Sequence, residues 1–82
     1  MDDTALLRQY VNAGCELAFT DLVNRHIDLV YASARRLTRD AHMAEDVTQA
    51  VFIVLARRAG SVRGGGVLPA WLLSVTRHTA AH

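Results

Sequence analysis

Two groups of side chains in this sequence have types and spacings suited to recognition. The first is Asp46-Val47-Thr48-Gln49-Ala50-Val51-Phe52. Helical residues three apart share a face, so Asp46 and Gln49 would present a carboxylate and a carboxamide together. Such a pair is a directional docking edge for a partner. On spacing alone the plainer reading is a solvated face, with Asp46 serving the helix dipole. The second group is a glycine-rich stretch, Gly60-Ser61-Val62-Arg63-Gly64-Gly65-Gly66, followed by Pro69 and then by Trp71, Ser74, Arg77 and His78. Serine, arginine and histidine side chains donate to phosphates and base edges. Trp71 has the flat surface to stack on an unpaired base, although a tryptophan in a small helical domain more often packs in the core.

Catalytic constellations are missing from the sequence. There is no Gly-x-Ser-x-Gly, and the triple glycine lacks the Lys-Ser/Thr that completes a phosphate loop. Cys15 has no histidine near it in sequence and reads as a buried or capping thiol. His78 and His82 are four apart, a spacing compatible with metal on a helix, but no third ligand accompanies them. His42 with Glu45 and Asp46 reads as surface groups near a helix start, and His26 as a residue at the edge of the core. The expectation is a non-enzymatic domain with no metal and no cofactor.

The scaffold that holds these groups must be small. The 82 residues weigh 9.0 kDa, enough for a single domain over 1–82. A content of 51% hydrophobic and 21% charged residues excludes intrinsic disorder. One cysteine excludes an internal disulfide framework. The longest apolar run, Ala50 to Ala56, is seven residues, whereas a membrane span needs about 20. The Met-Asp-Asp start has no basic stretch ahead of an apolar one, so no signal peptide is expected and the expected location is the cytoplasm, without membrane insertion. Charge is divided unevenly. Residues 1–46 hold all eight acids and five arginines; residues 47–82 hold four arginines and no acid. A 36-residue tail without a carboxylate attracts a polyanion.

Helical periodicity dominates, and the expected fold class is all-α, a compact domain of about four helices. Asp2, Asp3 or Thr4 would cap a first helix that stops at Gly14. From Glu16 the apolar positions Leu17, Ala18, Phe19, Leu22, Val23, Ile27, Val30, Tyr31, Ala34 and Leu37 predict a second helix of roughly 22 residues. Asp40 would cap a third, from about Ala41 to Arg58. The stretch Gly60 to Gly66 is predicted irregular, because consecutive glycines cost a helix too much backbone entropy. Pro69 suits the first turn of a last helix.

In this order the pieces resemble region 2 of bacterial RNA polymerase sigma factors, of the extracytoplasmic-function type. The resemblance is carried by Gly14 to Phe19, Leu22 to His26, Val30-Tyr31, the run Ala44-Glu45-Asp46-Val47-Thr48-Gln49-Ala50-Val51-Phe52, and Ala70-Trp71-Leu72. It implies an all-helical subunit that directs transcription initiation. By resemblance, Asp46, Gln49 and Phe52 would dock on the clamp helices of the polymerase β′ subunit. The loop Gly60, Ser61, Val62, Gly64, Gly65 and Gly66 would capture a flipped base of the minus-ten element on the non-template strand. Arg63, Trp71, Ser74, Arg77 and His78 would contact promoter DNA, and an anti-sigma factor is a possible further partner. The family's helix-turn-helix of region 4 is absent from these residues. Many relatives carry an acid where Cys15 stands, which is expected to weaken the start of the second helix by ~1 kcal/mol. Two other readings stay open: a helical DNA-binding module that never meets polymerase, and a protein-interaction bundle.

Overall fold

The structure, a computed structural model, describes residues 1–62 and 67–81. It contains helices α1 (Asp3–Ala13), α2 (Glu16–Thr38), α3 (Ala41–Arg58) and α4 (Val67–Ala80), with a short 3-10 turn, Ala59–Ser61, following α3. The described residues include no strand, so the all-α expectation holds.

Local chemistry sets each boundary. The Asp2 side chain accepts a hydrogen bond from the Ala5 backbone N–H at 2.8 Å, capping α1. Gly14 ends α1 in the left-handed region, φ 61°, which glycine adopts without a Cβ clash. Asp40 caps α3 by accepting from Met43 N–H at 3.0 Å. Between these two, α2 begins at Cys15 with no side-chain cap, as its sequence implied. It ends at Arg39, which is held at φ 58° and donates its N–H to the Arg35 carbonyl at 2.9 Å.

Helix α2 is the spine. At about 1.5 Å per residue, 23 residues span roughly 34 Å, and the molecule is 37 Å along its longest axis. It touches α1, α3 and α4. Leu22, Val30, Val51, Leu55, Leu68 and Leu72 are fully enclosed where these helices meet. Two of the three buried polar residues, Thr48 and Thr76, satisfy themselves within their own helices: the Thr48 hydroxyl donates to the Ala44 carbonyl, and that of Thr76 to Leu72, both at 2.7 Å. A ring contact, Tyr10 against Phe19 at 4.8 Å, helps seat α1 on α2.

Several expected positions differ. Leu17 is 82% exposed and Leu37 about half exposed, whereas Ala18 and Ala34 near them are buried; the two leucines lie off the face that the neighbouring helices cover. Gly60 and Ser61 are not irregular but belong to the 3-10 turn, whose first residue, Ala59, is buried. That turn packs on α1, with Ala59, Gly60 and Val62 facing Leu7 and Val11 across a small groove. His26, expected at the core's edge, accepts a more specific task. Its Nε2 lies 2.8 Å from Asp3 Oδ2, and the Arg25 guanidinium sits 3.5 Å from the other Asp3 oxygen and 3.2 Å from Asp21. This clamp ties α1 to α2.

Candidate functional site

Helix α3 has two usable sides. On the first, it forms a groove with α2 of about 650 Å³. Phe19, Val23, Ile27 and Tyr31 project from α2 at four-residue spacing, and Gln49, Phe52 and Ile53 from α3. The lining is mainly apolar, with Asp28 and Glu45 also in it. Asp46 and Gln49 are both exposed. Gln49 lines the groove; Asp46 lies one helical step round from Glu45, on the outward side. The dipole reading of Asp46 fails on position. It is the sixth residue of α3, the first turn holds no acid, and Asp40 already caps that end, while the dipole's influence fades within one turn.

Phe52, expected by resemblance to dock with Asp46 and Gln49, is 7% exposed and belongs to the core as well as to the groove wall. Ile53 beside it is 52% exposed and is the apolar group a partner would meet. Sequence reasoning missed Ile27, Tyr31 and Ile53 as groove residues. The available signal was the run Phe19, Val23, Ile27, Tyr31, a second apolar edge wider than one neighbouring helix covers.

On its other side, α3 meets α4 in a cleft of about 450 Å³. Ser74 and His78, both exposed, line it from α4. Arg77 is exposed on α4 but does not line the cleft. Trp71 is half-buried and packs against the core, so packing accounts for part of its surface. The expected base-capture loop is split. Val62 is buried (9% exposed) and Gly60 and Ser61 are held in the turn, so Val62 is a packing residue rather than a free loop residue. Arg63, Gly64, Gly65 and Gly66 lie outside the described residues. So does His82. Among the described residues no three His, Cys, Asp or Glu side chains gather into a metal-binding group, and no helix is long and apolar enough to cross a membrane.

Fold and surfaces together define an all-helical domain with two chemically distinct grooves on one rod. The module can be placed. Residues 22–82 match Sigma-70 region 2, and the chain belongs to that family. It is also 33% identical over 67 residues to the RNA polymerase sigma factor CarQ of Myxococcus xanthus, covering 82% of this chain and 38% of that relative. The chain thus spans about two fifths of the length of the curated relative it matches. No solved structure matches.

Proposed function

We propose that this domain serves as a sigma subunit's polymerase-docking and promoter-opening module in transcription initiation. The single observation that carries the reading is the outward pair Asp46 and Gln49 beside an apolar groove. The matching run in sigma factors docks on the clamp helices of β′, and an apolar groove bordered by acids suits an amphipathic helix with basic flanks. The groove would take the clamp-helix side chains, with Ile27 and Ile53 buried beneath them. Gln49 would fix their register through its amide, and Asp46 would meet a cation at the edge.

The DNA side is assigned to α4 and the loop before it. Melting requires that the unpaired strand be bound more strongly than unstacking costs, which is about a few kcal/mol per extruded base. Ser74, Arg77 and His78 would hold the strand beside the minus-ten element, with Arg63 and Gly64 to Gly66 supplying the base pocket. The acid-free tail adds salt-dependent attraction. The domain performs no chemistry itself, works in the cytoplasm with the polymerase core, and offers its groove to any anti-sigma factor that competes for it.

Replacing Asp46 and Gln49 together by alanine tests this. Co-purification with polymerase core should be lost while the domain's affinity for a single-stranded promoter oligonucleotide stays unchanged. Retained polymerase binding would favour a DNA-binding module that acts without polymerase. An absence of any salt-dependent oligonucleotide binding would favour a protein-interaction bundle.

A further inference from the structure

The cleft between α3 and α4 holds two arginines that neither the motifs nor the resemblance assigned. Arg57 and Arg58, in the last turn of α3, share it with Ser74, His78 and Thr79 of α4, and Val54 and Val75 complete the lining. Both arginines are exposed, and neither forms an ion pair with a carboxylate among the described residues. Helical partners four residues back are unavailable, because those positions are Ile53 and Val54. No acid follows Asp46 anywhere in the chain. Glu16 borders a neighbouring groove with Arg57 but makes no ion pair with it.

Helix-end compensation is the plain explanation, and magnitudes limit it. The carbonyl end of a helix carries about half a negative charge. Two guanidiniums exceed that by roughly one and a half charges, a surplus left for an external anion. The planar guanidinium fork matches phosphate oxygens, and the hydroxyls of Ser74 and Thr79 are donors of the kind that contact a nucleic-acid backbone.

We infer that this cleft seats backbone phosphates of the DNA strand engaged by α4, with Arg57 and Arg58 as phosphate-binding residues. The inference rests on the reading of α4 as the DNA-contacting helix and extends the contact surface onto α3. Its contribution is independent of base sequence, since phosphates carry none.

The test uses the full 82-residue chain and labelled oligonucleotides, single-stranded and duplex, with anisotropy followed across salt. The double variant Arg57→Ala, Arg58→Ala should lower the slope of log affinity against log salt by about 1.4 on single strands or about 1.8 on duplex, whichever form the cleft holds. At about 0.1 M salt those slope changes correspond to an affinity loss of roughly 25-fold on single strands or roughly 60-fold on duplex, equal on unrelated sequences. Each single alanine variant should give about half the slope change, and Arg57→Lys, Arg58→Lys should keep the wild-type slope. The control Arg35→Ala, Arg36→Ala removes two exposed arginines from the end of α2 and should leave the slope unaltered. A wild-type slope in the Arg57, Arg58 alanine variant overturns the cleft assignment while leaving the promoter reading intact. An equal drop in the control also overturns it, since the general field would then be responsible. A wild-type chain without salt-dependent binding to either oligonucleotide removes the promoter reading and the cleft with it.

Discussion

The two sides of α3 ask different things of a partner. Toward α2 the helix shows Gln49 and Ile53 across from Ile27 and Tyr31, a surface whose gain on binding comes from apolar area withdrawn from water. Toward α4 it shows Arg57 and Arg58 beside hydroxyls, a surface whose gain comes from charge and fades with salt. Both lie on one 18-residue rod. On the proposed reading the domain would meet two partners with affinities that respond to different conditions, and the separation is chemical rather than a matter of distance.

The contrast can be broken entirely at its shared support. Leu55 is fully buried on α3 between the two sides. Leu55→Ala should cost about 2–5 kcal/mol in urea denaturation, enough to erase both binding activities together in so small a domain. A variant that unfolds yet retains one activity would show that the sides are not held by a common core. Next in size, Ile53→Asp places a charge in the apolar groove and should weaken polymerase binding by about 2 kcal/mol, in the range of an interface hot spot. Oligonucleotide affinity should not improve or fall by more than a small factor; a parallel loss would mean that the groove also serves DNA.

A smaller effect isolates α1 from both sides. Asp3→Asn removes the charged partner of His26 and Arg25 and should lower stability by about 1 kcal/mol, with the polymerase and DNA affinities of the folded domain retained. Thermal denaturation checks it, and an unchanged midpoint would mean that Tyr10 on Phe19 and the buried leucines hold α1 without the clamp. The smallest change is a gain. Cys15→Asp supplies the cap that α2 lacks and should stabilise the domain by about 0.5–1 kcal/mol, bringing the start of α2 level with that of α3. No gain in a melting experiment would mean that the Cys15 backbone already satisfies the exposed N–H groups.

The helices were legible because their signals are local. Gly14 and Asp40 act within a few residues of themselves, and both did what their chemistry requires. The position of Asp46 and Gln49 on an outward face also followed from helical period. What escaped the sequence depends on residues far apart in the chain. Nothing near His26 announces Asp3, 23 positions earlier. Phe52 and Ile53 are both large and apolar, and only the placement of α2 decides that the first is walled in and the second left open. Gly60 and Ser61 looked irregular because their composition favours it; packing on α1 goes with a 3-10 turn there instead. Nothing in the chain order announces that Arg57 and Arg58 share a cleft with Ser74 and Thr79; only the placement of α4 decides it.

The buried threonines have a consequence for how such a domain drifts over generations. Thr48 and Thr76 each return their hydroxyl to the preceding turn of their own helix, so neither dictates which atom of a facing helix must stand opposite. Valine at either site keeps nearly the same silhouette and strands no donor across the junction. Exchange to valine is expected to cost the interior little, since the Ala44 and Leu72 carbonyls keep their own helical N–H partners.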